Sequence, residues 1–249
     1  MLQVEHVVKS FGGIRAVDDC SLAVSRGSIT GLIGPNGAGK TTLFNIITGF
    51  LKPEDGAIWF KGERIDGLPP HEIFHKSLCR TFQIPRELRE MTVLENLMVV
   101  PTGQVGERIW NSWLRSSSIT KQEREIKEKA EEILAFVELI QLKNELAKNL
   151  SSGQKKLLEL ARVLMGDPEM ILLDEPGAGV NPVLMVKLKD KILDLCQGGK
   201  TFFLIEHDMD IIAYLCDKVI VMNKGAILAE GTPQEIKKDP RVLEAYLGE

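Results

Sequence analysis

Cysteine is scarce in this chain: Cys20, Cys79, Cys196 and Cys216 are the only four among 249 residues, and no two of them form a C-x-x-C pair. That spacing excludes a zinc ribbon, a dithiol redox pair and a disulfide framework, and leaves reduced thiols used for packing. Long apolar runs are missing as well, since none approaches the roughly 20 residues that span a bilayer. The opening MLQVEHVVKS carries no apolar signal-peptide core. The expectation is therefore a cytosolic chain that reaches any membrane through a partner. Basic charge is not in excess: 31 Lys and Arg against 35 Asp and Glu give a net charge of −4, which argues against a dedicated nucleic-acid binder. Internal repeats and low-complexity tracts are absent, and SSSITKQERE is the one linker-like patch.

What is there reads as a globular protein, with 44% hydrophobic and 27% charged residues in a length that fits one large domain or a domain with a lobe. The first stretch, LQVEHVVKSFGGIRAVDDCSLAVSRGSITGLIG, alternates apolar and polar residues between glycines, the pattern of antiparallel strands. GAIWFKGERIDG adds a second such set. From about residue 85 to 165 the pattern becomes helical: ITKQEREIKEKAEEILAFVELIQL places Ile126, Ala130, Ile133, Leu134 and Val137 on one face. Thr120 with Glu123 predicts a capping box at its start. EMILLD and TFFLIE are too short for helices and too continuous for an exposed sheet, so they predict a parallel sheet buried on both faces. The outline is an α/β core with a strand-rich N-terminal edge and an inserted helical lobe.

GSITGLIGPNGAGKTT reads as strand, loop and helix, with Ile29 to Ile33 extended, Gly34 to Gly39 turning and Lys40 opening the helix. Gly34, Gly39, Lys40 and Thr41 stand at the spacing of a phosphate-binding loop. Glycines in Gly34–Pro35–Asn36–Gly37–Ala38–Gly39 let backbone N–H groups close on phosphate oxygens, and the helix start adds its positive dipole end. Lys40 supplies a cation for the β- and γ-phosphates, and the Thr41 hydroxyl, followed by Thr42, supplies a ligand for Mg²⁺. Phosphoryl transfer also needs a carboxylate near the metal and a group that orients water. In EMILLDE, Asp174 ends a buried strand and so reaches the sheet edge where ligands sit, and Glu175 follows as the natural general base. NKGA weakens a guanine-reading alternative, because Ala226 occupies the place where a GTPase motif needs aspartate.

The segment LSSGQKKLLELARVLMGDPEMILLDEP, residues 150 to 176, resembles the signature-to-Walker B region of ATP-binding cassette (ABC) ATPases. The resemblance extends over nearly the whole chain. It implies a P-loop NTPase of the ABC type in one domain, 1–249, with a mostly parallel core sheet, an N-terminal antiparallel β subdomain and a helical subdomain at about 84–165. It further implies that Phe11 stacks on adenine, that Gln83 in RTFQ bonds Mg²⁺ or the attacking water, and that His207 in IEHD senses γ-phosphate. Ser151, Ser152, Gly153 and Gln154 form the signature, which in the family serves a nucleotide held by the opposing subunit, hence a head-to-tail dimer, of identical or different ATPases, around two ATP molecules. TFQIPRELREMTVLENL, DEPGAGVNP, IEHDMD and GTPQEIKKDPRVLEAYLGE are similar to the ATPase subunits of branched-chain and neutral amino-acid importers. Transmembrane permease subunits, a solute-binding protein and a peripheral place on the cytoplasmic membrane face follow from that likeness, with no nucleic-acid partner. Residues 84 to 100 are the expected docking surface, with apolar Ile84, Leu88, Met91 and Leu94 either filling that contact or packing in the core of the helical lobe.

Three positions depart from the commonest family pattern: Ser152 adds a side chain where glycine is usual, Asn181 replaces an aspartate, and Gly177 stands where a larger residue is frequent. The segment HEIFH, residues 71 to 75, matches a zinc-protease pattern but has no third ligand in view, so a solvated short helix after Pro69 and Pro70 is expected. A soluble cassette ATPase acting away from any transporter is the rival reading, and a switch that binds ATP but barely hydrolyses it is another.

Overall fold

The alternating N-terminal segments pair as their patterns require. A computed structural model describes residues 1–81, 87–101 and 117–247. Strands β1 (Leu2–Phe11), β2 (Ile14–Val24), β4 (Asp55–Phe60) and β5 (Glu63–Arg64) form an antiparallel sheet in the order β2-β1-β4-β5. Leu2 stands opposite Val24 and Phe60, and Val4 opposite Leu22 and Ile58. Period-two alternation thus gathers six apolar side chains on one buried face.

The second sheet holds β3 (Ile29–Ile33), β6 (Leu78–Arg80), β7 (Met170–Asp174), β8 (Thr201–Ile205), β9 (Lys218–Asn223) and β10 (Ala226–Gly231), in the order β10-β9-β3-β8-β7-β6. All neighbours are parallel except the β9–β10 hairpin. Every residue of β3, β7 and β8 is buried, as continuous apolar runs demand. Helix α1 (Lys40–Ile47) sends Leu43, Phe44, Ile46 and Ile47 into a core shared with both sheets. There the Phe44 and Phe203 rings lie 4.9 Å apart.

These sheets belong to one unit, Met1–Gln83 with Pro168–Ala178 and Ile192–Glu249; Ile84–Asp167 with Gly179–Lys191 form another. Among the described residues the remaining α-helices are α2 (Pro70–His75), α3 (Val93–Met98), α4 (Ser117–Phe136), α5 (Ser152–Met165), α6 (Pro182–Gln197), α7 (Met209–Leu215), α8 (Pro233–Lys238) and α9 (Pro240–Leu247). On α4, Ala130 and Leu134 are buried, as is Val137 just past its end, while Ile126 and Ile133 are half-buried, which matches the expected apolar face. Two expectations are corrected here. Residues 117–125 of the patch SSSITKQERE are helix and not linker, because they belong to α4, and Thr120 therefore lies inside the first turn rather than capping the helix. A Thr-x-x-Glu spacing is compatible with a helix interior when the residue before it also takes helical angles, and the exposed Thr120 side chain is accommodated there at little cost. None of the described helices is long and apolar enough to cross a membrane.

Candidate active site

The loop between β3 and α1 is shaped by two glycines that nothing else can replace. Gly34 has φ 147°, and a Cβ there would sit 2.0 Å from the Met222 carbonyl oxygen; Gly39 has φ 102°, and its Cβ would sit 2.2 Å from the Ala16 carbonyl oxygen. The loop is pinned from outside by the Gly225 N–H donating to the Ala38 carbonyl at 3.0 Å. Lys40 is buried, and its Nζ donates to the carbonyls of Gly34 at 2.7 Å and Pro35 at 2.9 Å, which folds the cation over its own loop. No side chain caps α1 and its first turn contains no acid. Its leading N–H groups and Lys40 therefore suit an anion, so the loop fits a polyphosphate on its own geometry.

Parallel pairing sets the opposite wall. Asp174 at the end of β7 is in register with Ile205 at the end of β8, so the residues that follow both strands emerge at one sheet edge. Glu175 and His207 meet there, with His207 Nε2 3.0 Å from Glu175 Oε1. Glu175 holds the left-handed backbone at φ 49°, fixed by its N–H donating to the Ile205 carbonyl at 3.0 Å. A cleft of about 320 Å³ is lined by Ala16, by Asn36, Gly37, Ala38, Gly39, Lys40, Thr41 and Thr42 of the loop, and by Glu175 and His207. An anion site thus faces a carboxylate and an imidazole.

Asp174 is buried beneath this edge. Arg80 of β6 donates from Nη2 to Asp174 Oδ2 at 2.7 Å and from Nη1 to Asn45 Oδ1 at 2.7 Å, and the two charged side chains are only 5% and 4% exposed. The Thr81 hydroxyl accepts the Asp174 N–H at 3.3 Å. The Asp174 carboxylate and the hydroxyl of the exposed Thr41 are oxygen donors of the kind a hard cation takes.

Other expected residues stand elsewhere. Phe11 is 47% exposed at the end of β1, with Lys9 Nζ 5.5 Å above its ring, so it is a surface aromatic. Gln83 and Ile84 lie outside the described residues. Ser151–Gln154 head α5 in the second unit: Ser151 is the N-cap, its hydroxyl accepting the Gln154 N–H at 3.3 Å while Gln154 Oε1 accepts the Ser151 N–H at 2.9 Å. Ser151 and Ser152 are exposed and Gly153 is buried, with a Cβ there 2.5 Å from Leu184 Cδ1. His71, Glu72 and His75 are exposed on the short α2, and no group of three metal-ligating side chains occurs among the described residues.

The model of the ABC transporter family matches residues 17–178. The chain belongs to the ABC transporter family. A second model, that of branched-chain amino acid ATP-binding cassette transporters, matches residues 226–249 of the cassette. Its relatives include the probable branched-chain amino acid transport ATP-binding protein LivG of Archaeoglobus fulgidus, 44% identical over all of this chain and 95% of that one. The high-affinity branched-chain amino acid transport ATP-binding protein BraF of Pseudomonas aeruginosa is 42% identical over 100% and 98% of the two chains. A crystal structure of a nucleotide-free ATP-binding cassette from an ABC transporter superposes with a TM-score of 0.87 at 43% identity, covering 100% and 99%. A second crystal structure, of the ADP conformation of an ABC transporter cassette, gives 0.86 at 43% identity over the same shares. The fold of this cassette is therefore the α/β P-loop NTPase fold of ABC ATPases, as the signature segment implied.

Two buried charged residues of the first unit escaped sequence reasoning. Arg80 hides in the apolar-looking LCRTF, where its signal was a cation in a run too short and too buried to need one. Glu206, the residue before His207, was passed over in favour of its neighbour.

Proposed function

We propose that the chain is the ATP-hydrolysing subunit of an importer of branched-chain or neutral amino acids, working on the cytoplasmic face of a membrane beside transmembrane permease subunits and a solute-binding protein. The observation that carries this reading is the convergence of the phosphate loop, Glu175 and His207 on one cleft, in a chain that aligns end to end with relatives named as amino-acid transport ATP-binding proteins. Lys40 and the N–H groups of Gly37 to Thr42 bind the phosphate tail, with Gly34, Pro35, Asn36 and Ala38 setting the loop's path. Phe11 offers an aromatic face to adenine without reading its edges. Thr41, Asp174 and Gln83 would hold Mg²⁺, which would supply positive charge to offset that of the phosphate tail. Glu175 takes the proton of the attacking water, a step worth about 10²–10⁴-fold in rate. His207, hydrogen-bonded to Glu175, keeps that carboxylate aimed and contacts the γ-phosphate.

Ser151, Ser152, Gly153 and Gln154 belong to the half-site that closes over a nucleotide on the opposing subunit. The exposure of Ser151 and Ser152 at a helix start supports this reading. For the permease contact, support comes from Leu88 and Met91, 40% and 37% exposed on a loop that Asn96 pins: its buried amide donates to the carbonyls of Leu88 and Thr92 and accepts the Leu88 N–H. A rigid apolar knob suits a docking surface.

The sandwich is tested by mixing Lys40→Ala and Ser151→Ala proteins, each inactive alone. A mixed dimer retains one site with an intact loop and an intact signature. Random exchange makes about half the dimers mixed, so roughly a quarter of wild-type hydrolysis should return if sites act independently. No recovery, together with Ser151 footprinting on its own chain's nucleotide, contradicts the arrangement.

A further inference from the structure

The buried carboxylate of Glu206 has no part in the chemistry just derived, yet both loops that carry it are tied to that group. Its side chain is 4% exposed, and burial pushes its carboxyl above the usual range, opposed by the N–H donors around it. Oε1 accepts the Gly177 N–H at 2.8 Å, two residues after Glu175, and Oε2 accepts the His207 N–H at 2.9 Å. The Asp208 N–H also donates to this carboxylate. Beyond it, the Asp208 side chain caps α7, so the His207 loop is fixed from both sides.

Gly177 explains why the clamp is possible. A Cβ at that position would lie 2.5 Å from Glu206 Oε1 and 2.8 Å from Ile211 Cδ1, so any side chain would push the carboxylate away. The departure at Gly177 and the acid at 206 are thus one feature: the loop gives up a side chain and gains a carboxylate bridge. Nearby, Glu175 sits at φ 49°, a conformation that is strained for a residue with a Cβ and persists only where its surroundings over-determine it. The Ile205 carbonyl holds the Glu175 N–H from one side, and the bridge at Gly177 holds the chain two residues on.

We propose that Glu206 is a positioning residue of the ATPase, a carboxylate bridge that locks the loop after Glu175 to the loop of His207 so that base and histidine keep their 3.0 Å contact as one rigid pair. The proposal rests on the reading of the cleft as a site of ATP hydrolysis. It assigns the bridge to transition-state geometry, and ATP binding to the phosphate loop.

The test is made on the full chain. In E206Q the amide keeps the size, but both carboxylate oxygens accept backbone N–H groups, so an NH₂ must face one of them. Turnover should fall at least about tenfold while KM for ATP stays within about twofold, the pattern of an interaction that matters only in the transition state. G177A should give the same split from the other partner, and decides by the same criteria if E206Q does not fold. In a His207→Ala background E206Q should cost much less than it does alone, because both lesions act on one pair. Wild-type turnover in either folded variant, a rise in KM with kcat unchanged, or full additivity with His207→Ala overturns the proposal. Should the wild-type chain itself fail to hydrolyse MgATP, the ATPase reading falls instead. The bridge is then read by amide hydrogen exchange at Gly177 and His207, which E206Q must accelerate if the bridge exists and leave unchanged if it does not.

Discussion

Replacing Arg80 with methionine removes the guanidinium from beneath the site and keeps most of the stem's volume against Phe44, whose ring lies 5.6 Å from Arg80 Cζ. What the variant leaves behind is Asp174, 4% exposed and without its 2.7 Å partner. Removing one member of a buried ion pair strands the other charge, at a cost of about 3–5 kcal/mol. The bonds from Arg80 Nη1 to Asn45 at 2.7 Å and to Thr48 at 3.3 Å go too, although both acceptors are small polar groups that tolerate water better than a carboxylate does. For a chain of this size each kcal/mol moves the thermal midpoint by about 2–4 °C, so a fall of about 6–20 °C is expected. Circular dichroism melts and urea titrations without nucleotide read the change. A buried pair is screened little by salt, so the loss should persist at about 1 M salt. Adding Asp174→Asn should recover a good part of it, because the stranded charge is then gone. A loss under about 1 kcal/mol, or one that disappears at high salt, would refute the reasoning by showing that the pair is solvated and worth no more than a surface bridge.

The other expectations concern the loop and the thiols. Gly39→Ala should abolish ATP binding in a folded chain, because a Cβ 2.2 Å from the Ala16 carbonyl, at φ 102°, forces the phosphate loop open; isothermal titration with ATP checks it, and wild-type affinity would contradict it. Lys40→Ala should weaken ATP far more than adenosine, since the cation's partner is the phosphate tail, and equal weakening of the two ligands sinks the loop assignment. Burial pushes the thiols of Cys20, Cys79 and Cys216 up to about 12, so about 10⁻⁴ of each is thiolate at pH 8. A thiol reagent should therefore label only the half-buried Cys196 in the native protein and all four cysteines after unfolding; rapid labelling of two or more native thiols goes against the packing described.

Much of this arrangement was legible in the sequence because its signals are local. The loop GPNGAGK needs glycine at Gly34 and Gly39 for reasons of backbone approach, and the order of glycine, lysine and threonine follows from what phosphate requires. Runs such as MILLD and TFFLI announce strands buried on both faces. Less local features were missed. Strand β6 is three residues long, too short for a periodic signal, and exists because Leu78 to Arg80 pair with Met170 to Leu172, some ninety positions away in the chain. The start of α4 was misplaced because a Thr-x-x-Glu spacing looks the same at a cap and inside a first turn. Glu206 could not be read from IEHD alone, since its partner Gly177 lies in another loop and looked there like an unexplained departure. The bridge becomes visible only when parallel pairing brings the ends of β7 and β8 side by side.

The central claim is that the cleft hydrolyses ATP with Glu175 as base. Its most direct test is phosphate release from MgATP by the wild-type chain and by Glu175→Gln, alongside ATP binding by both. The account predicts steady release by wild type, and in the variant unaltered ATP affinity with turnover lowered by about 10²–10⁴-fold, because the amide keeps the shape but cannot accept water's proton. Release by Glu175→Gln at the wild-type rate would contradict it.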